Sequence, residues 1–395
     1  MTTRLRQMLL ACTAITISAF SEANDKPINW QGLPEPYATP SASNPPRMVT
    51  QPKDAKLTLP LGFKIEEWAR GLYGGPRKMI LGPDGEVIVS QMGAGAITVI
   101  RNGQLTNIIE GLEGPYGLAM HGDMLYVADT QAIRRYHYDA KRPSVSDGEE
   151  IVDLRYVSGG HATRAITFDP EQTHLYLSVG SGSNVDSGEP PMRAAISRYD
   201  MDGKNHEIFA SGIRNAIGMS WNPITGELWV DSHERDGLGD DLVPDYLTHI
   251  VQDGFYGWPY AYIGPHEDPR RKGEAPDLVA KTLYPDVLLG GHVGAMDILF
   301  YTGAQFPEHY RNGCFIALHG SWNRSKRAGH KIVFVPFKDG KPTQGPEDFV
   351  SGWMLGEDRR EAWGRPVGLL QLDDGSLLIS DEAPGVIWRV SYSTP

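Results

Sequence analysis

The sequence predicts an all-β fold, a six-bladed β-propeller, on three observations. Of 395 residues, 40% are apolar while 45 are glycine and 29 are proline, so a core can form in a chain that reverses direction often. One pattern recurs along it: an apolar stretch, a turn rich in Asp, Asn or Gly, then a short β-prone strand. Copies of this pattern stand roughly 40 to 90 residues apart, blade length with loop insertions. Hairpins repeated at that length close into a ring with only short edges. A β-sandwich would leave the likeness among the copies an accident.

Two segments precede the repeats. In residues 1–23, Arg4 and Arg6 are followed by an apolar run from Met8 to Phe20 and by small residues up to Ala23. This has the form of a secretory signal, too short for a permanent membrane span. The expectation is an exported, periplasmic protein with no transmembrane anchor once the signal is removed. "LLAC" at Leu9 to Cys12 has some likeness to a lipoprotein signal, but Cys12 lies early in the apolar run. Without the signal Cys314 is the only cysteine, so core burial and no intrachain disulfide must hold the fold. Residues 24–56, with "PEPYATPSASNPPRM", are rich in proline and serine and lack an apolar period. They read as an extended lead-in draped over the domain of residues 57–395.

The six copies follow in order: "MILGPDGEVIVSQ" from Met79, "LAMHGDMLYVAD" from Leu118, "ITFDPEQTHLYLSVG" from Ile166, "MSWNPITGELWVDS" from Met219, "YRNGCFIALHG" from Tyr310 and "LLQLDDGSLLISD" from Leu369. Strands of the Leu-Tyr-Leu or Val-Ile-Val kind joined by such turns form hairpins. The fifth copy is the least regular, and "GAQFPEHYRNG" before it reads as a longer turn.

In a propeller the loops at one end of the innermost strands converge on a channel mouth. Four stretches fall there. Gly159-Gly160-His161 precedes the third copy; a lone histidine is more often structural, but the glycines let backbone and ligand approach closely. Arg214 and Asn215, in "FASGIRNAIGMSWNP", hold the corresponding place before the fourth. After the fourth, "DSHERDGLGDDLVPDYLTHIVQDGFYGWPYAY" has six acidic residues between Asp231 and Asp245. Carboxylates and glycine-exposed carbonyls are the hard oxygens Ca²⁺ prefers, although such loops are commonly just solvated and no EF-hand spacing is present. Finally "LHGSWNRSKRAGHK" and "WGRPVG" bring Arg324, Lys331 and Arg365 to the fifth and sixth mouth positions, where cations would attract a carboxylated ligand.

Other chemistries are excluded by what the chain lacks. A formal charge of −12 without a basic stripe argues against nucleic acid. There is no C-x-x-C-H haem site, P-loop, H-E-x-x-H or G-x-S-x-G. "MGAGAI" at Met92 lacks the third glycine and the βαβ setting of a dinucleotide site.

Taken in order, "GGHATRAITFDP", "SGIRNAIGMSWNP", "ERDGLGDDLVPDYL", "GFYGWPY", "HGSWNRS" and "WGRPVG" resemble the pyrroloquinoline-quinone (PQQ)-dependent soluble sugar dehydrogenases, most closely the L-sorbosone dehydrogenase branch. The likeness runs from about residue 57 to 392. It implies a six-bladed propeller with PQQ over the channel mouth and one Ca²⁺ on the quinone edge. His161 matches the catalytic base, and Arg214 with Asn215 the pair contacting quinone and substrate. Asp236 and Gly237 match the residues whose backbone carbonyls bind calcium. Arg365 matches an arginine that pairs with cofactor carboxylates, and Lys331 is a weaker match because "GSWNRSKRAG" inserts before it. Where glucose-oxidising members place the aspartate that orients the histidine, this chain has Ser181. The implied reaction is oxidation of a sugar lactol or aldehyde to a lactone or acid, with electrons leaving to an external quinone, cytochrome or dye. A calcium-dependent lactonase of propeller form and a non-catalytic binding propeller are the alternatives.

Overall fold

The computed structural model describes residues 25–394; the signal expected in residues 1–23 lies outside them. The chain forms six four-stranded antiparallel sheets in a ring. Blade one comprises Pro76–Leu81, Val87–Gln91, Ala96–Arg101 and Gln104–Ile109, and blade two Gly117–His121, Met124–Ala128, Ala132–Asp139 and Ser144–Asp153. Blade three comprises Arg164–Phe168, His174–Val179, Ala195–Asp200 and Glu207–Ser211. Blade four comprises Met219–Trp221, Leu228–Ser232, Pro244–His249 and Val287–Gly291, and blade five Ala295–Phe300, Cys314–Leu318, Lys331–Val335 and Glu347–Val350. Blade six takes Pro366–Gln371, Leu377–Asp381 and Val386–Tyr392 from the C-terminal end and Phe63–Arg70 from the N-terminal part as its outer strand. That exchange closes the ring.

Five of the six repeats read from the sequence are inner hairpins, and the fifth supplies only the second strand of one. Second strands such as "VIVSQ" and "CFIAL" are buried throughout because a blade packs on each face, which explains their unbroken apolar runs. In blade five the partner of Cys314–Leu318 is Ala295–Phe300, upstream of the quoted repeat. Residues 301–313, with a 3₁₀ turn at Glu308–Tyr310, join the two. The largest aromatic cluster lies between blades five and six, where Phe63 meets Phe306, Tyr310 and Phe349 edge-on at 4.8, 5.2 and 5.0 Å between ring centroids.

The channel itself is filled. Lys78 Nζ lies 2.8 and 3.0 Å from the two Asp297 oxygens, Tyr116 donates its hydroxyl to Met296 O at 2.7 Å, and Asp231 accepts the Ile217 and Gly218 amides. Only about 10 Å³ is left beside Tyr116 and Met219. A ligand must therefore sit at a mouth. The N-terminal segment crosses blades four to six: Tyr37 N donates to Leu238 O, Asp240 N to Thr39 Oγ1, and Arg47–Met48 pairs with Glu361–Ala362. Among the described residues no helix is long and apolar enough to cross a membrane.

Candidate active site at the propeller mouth

His161 is held by carbonyl oxygens and two buried arginines. Arg164 donates to the carbonyls of Val157, His161 and Thr163, and Arg193 to those of Val157, Ser158, Gly159 and Gly180. The loop before blade three is thus wrapped around two guanidiniums, its carbonyls inward. Gly160 sits at φ +60°, and a Cβ there would overlap the Gly182 backbone. A Cβ on Gly180 would strike Asn215 Oδ1 and come within 2.8 Å of His161 Cβ. Glycine at 180 therefore allows Asn215 and His161 to converge.

The Ser181 departure has a structural answer. His161 Nδ1 lies 2.8 Å from the Ser181 carbonyl and 3.1 Å from its hydroxyl oxygen. The hydroxyl itself donates to Ser183 O at 2.6 Å, so both groups accept from an Nδ1–H. That fixes the tautomer with a lone pair on Nε2, and no described carboxylate bonds the ring. Burial, with the Arg214 charge nearby, pushes His161 down to about 3, so it is neutral at pH 7.

Arg214 is buried beside it. It donates to Asn184 O (3.2 Å), Asn184 Oδ1 (3.1 Å) and Glu234 O (2.9 Å), and meets Asp236 at 3.4 Å. Asn215 Oδ1 is buried without a hydrogen-bond partner. From here hydrogen bonds run round the mouth. Asn215 O accepts from His233 N, whose ring Nε2 contacts Ala295 O; the adjacent Gly294 O accepts from His319 N, and Arg365 Nη2 lies 2.7 Å from His319 Nδ1. His161, Arg214 and Arg365 thus stand on one rim.

Arg365 belongs to a charged cluster at blade six. Its Nη1 lies 3.4 Å from Glu382, which also meets Arg77 at 2.6 Å and His319 at 2.5 Å. Burial alone would raise the Glu382 carboxyl, but the hydrogen bond from His319 Nε2 and the charges of Arg77 and Arg365 outweigh it and hold it low. Burial beside two arginines keeps His319 neutral, at about 3. A hollow of about 680 Å³ opens against Arg77 and Arg365. The Nε–H of each arginine is buried without a partner. Unsatisfied guanidinium donors, an orphan Asn215 carbonyl and a neutral histidine fit a flat, carboxylated quinone.

The other two assignments fare differently. Lys331 opens the third strand of blade five and pairs with Asp348 at 2.5 Å, and among the described residues no hydrogen bond or ion pair joins it to His161 or Arg365. Gly237 sits at φ +93° beside Asp236, but the Asp236 carbonyl already accepts Asn184 Nδ2 at 3.0 Å and Arg270 Nη1 at 2.8 Å. Arg270 is locked there, since buried Asp268 takes its backbone N, Nε and Nη2. A carbonyl with two donors on it has no lone pair for a metal, so the Asp236 carbonyl does not fit calcium as arranged. Asn184, which also accepts Trp258 Nε1 at 2.9 Å, is the residue sequence reasoning missed. Its only signal was a place in the "VGSGSN" run after a blade-three strand.

The comparisons with known proteins, on a shared six-bladed propeller, put the chain in the class of the PQQ-dependent soluble sugar dehydrogenases, the quinoprotein oxidoreductases. Within it, the chain belongs to the TrAA12-like family, whose model matches residues 57–245 and 276–393. It is 34% identical over 279 residues to an aldose sugar dehydrogenase of Escherichia coli, covering 64% of each chain. It is 24% identical over 399 residues to a PQQ-dependent pyranose dehydrogenase of Coprinopsis cinerea, covering 83% of this chain and 54% of that one, so it spans about half the fungal protein. A calcium structure of a Trichoderma reesei family AA12 enzyme superposes with a TM-score of 0.74 at 20% identity, covering 87% of this chain and 98% of that one. At that identity the likeness is one of fold.

Proposed function

We propose that this chain oxidises a sugar lactol or a hydrated sugar aldehyde to a lactone or acid, with PQQ at the mouth and His161 as general base. The observation that carries the reading is the free Nε2 of a neutral, partly buried His161 next to Arg214 on the rim shared with Arg365. Arg214, Asn215 and Arg365 would hold the cofactor, Arg77 adding a further cation. When bound, PQQ supplies a two-electron acceptor for the hydride leaving the substrate carbon.

His161 Nε2 takes the substrate hydroxyl proton as that hydride departs, a role worth about 10²–10⁴ in rate. The Ser181 oxygens hold the ring so that Nε2 faces outward. Arg214, fixed through Asn184 and Glu234 O, presents fixed positive charge without reorganising. The filled channel below keeps water from approaching from beneath. No step uses a metal: calcium at Asp236 and Gly237 requires Arg270 to leave the Asp236 carbonyl first. Electrons then pass to an external carrier, and the signal read in residues 1–23 would place the reaction outside the cytoplasm.

The test is to add PQQ to the purified chain and follow dye reduction with aldoses, sorbosone and simple aldehydes. His161→Ala is expected to bind PQQ as the parent does, by quinone absorbance, and to lose dye reduction by at least about 10²-fold. Undiminished turnover in that variant would remove His161 from the chemistry.

A further inference from the structure

Blade five carries a second cleft that the site above does not use. It encloses about 330 Å³ between the loop around Arg324 to Lys331 and the stretch from Asp348 to Glu357. Four cations line it, Arg324, Lys326, Arg327 and Lys331, against two carboxylates, Asp348 and Glu357. That local excess of positive charge stands in a chain of formal charge −12.

The carboxylates nearby leave the cleft positive. Asp348 pairs with Lys331 but is 61% exposed, and Asp241, the partner of Arg324, is 65% exposed, so water screens both pairs. The Nε–H of Arg324 is buried and unpartnered. Lys326 is exposed and has no hydrogen bond or ion pair among the described residues. Beneath them Arg327, 2% exposed, donates to Arg359 O, Ser321 O and Asn44 O at 3.0, 3.0 and 2.9 Å, and to Asn44 Oδ1 at 3.2 Å. All four acceptors are neutral. A guanidinium buried among neutral acceptors has only the charge of Glu361, which is not hydrogen-bonded to it, to offset that of Arg360 beside it, a state that a bound anion relieves.

We infer that this cleft binds an oxyanion, a carboxylate or a phosphate, either free or carried on a sugar-sized ligand. The volume is at the small end of ligand pockets, about 300 Å³ and upward, and a guanidinium beside an ammonium is a donor set that carboxylates and phosphates match. The cleft adjoins the mouth, because its His330 lies 3.1 Å through Nδ1 from Gly364 O, next to Arg365. None of the four cations hydrogen-bonds His161, Arg214 or Arg365, so the inference stands apart from the redox reading.

Titration calorimetry on the full, PQQ-free chain tests it, with D-glucuronate, glucose 6-phosphate and inorganic phosphate as probes and glucose as the neutral control. Saturable binding of an anion but not of glucose is expected, weakened by salt and weakened about tenfold or more in Lys326→Glu. Lys326 has no partner to lose, so that variant should fold as the parent does. A preference for the sugar anions assigns a sugar-borne group, and equal binding of phosphate assigns a free anion. No saturable binding of any of the three anions, or binding unchanged by Lys326→Glu, overturns the inference. Loss of PQQ binding alone in that variant also overturns it, giving the cleft to the cofactor and leaving the redox reading in place.

Discussion

His161 carries the chemistry only if its surroundings change when the site is filled. With a folded value of about 3 against an ordinary value near 6.5, the ring is a weak proton acceptor, and the ideal base sits near the working pH. Burial and the Arg214 guanidinium both disfavour the imidazolium, and no carboxylate among the described residues opposes them. A carboxylated ligand lying against Arg214 offsets the second of these and raises the histidine. The expected outcome is a His161 resonance that does not titrate above about pH 5 in the PQQ-free protein and moves upward once PQQ is added, followed by NMR. The sign is fixed. Because the folded value is depressed, the unfolded chain binds the extra proton between about 3 and 6.5, so this residue's contribution to stability falls as pH falls through that window. A His161 that titrates near 6.5 in both states would refute the account of its neutrality. The residue itself was legible, since two glycines before a blade strand mark a close approach. Its partners were not: Ser181 acts largely through its carbonyl, and Arg164 and Arg193 act on the carbonyls of Val157 to Gly159, which any residue supplies.

The loops of blade four show where sequence spacing stops being informative. "ERDGLGDD" offers acidic side chains and glycine carbonyls, the hard oxygens calcium prefers, without a recognised calcium-loop spacing, and whether a carbonyl is vacant depends on groups far along the chain. Asn184 reaches Asp236 from blade three, and Arg270 reaches it from beyond the last residue of the loop. Asp268 is buried and binds both Arg270 and Arg235, so moving Arg270 off the carbonyl would uncouple a buried carboxylate, a costly change. The PQQ-free protein is therefore expected to melt at the same temperature in EGTA as in millimolar calcium, and terbium added in place of calcium to give no saturable luminescence. A calcium-dependent rise in melting temperature would show that the carbonyl gives Arg270 up to the metal. Lys331 is placed apart for a related reason. Its place at a strand start pointed to the rim, but the strand is the third of its blade, and Lys331 pairs there with the exposed Asp348 of the neighbouring strand.

At the scale of the whole molecule, five inner hairpins and the second strand of the sixth, in blade five, were readable because an apolar run meets a turn residue and both faces of the second strand are covered. Outer strands such as Gln104–Ile109 and Ser144–Asp153 are largely exposed, so they carry no apolar period to read. Nor does local sequence reveal the closure of the ring, since Phe63–Arg70 pairs with Val386–Tyr392 from the other end of the chain. Yet that pairing joins blade six to itself and, through Phe63, to the aromatic cluster of blade five. Phe63 touches Phe306, Tyr310, Phe349 and Tyr392, all with ring centroids within 5.2 Å. Its neighbour Leu61 is 86% exposed and serves as a control on the same segment. Truncating a packed phenylalanine costs about 3–5 kcal/mol in a full core, and Phe63, only partly buried, should cost somewhat less, with Phe63→Ala lowering the melting temperature while Leu61→Ala leaves it nearly unchanged. If the two variants melt alike, ring closure does not depend on this contact, and the stability of the propeller resides in the inner hairpins alone.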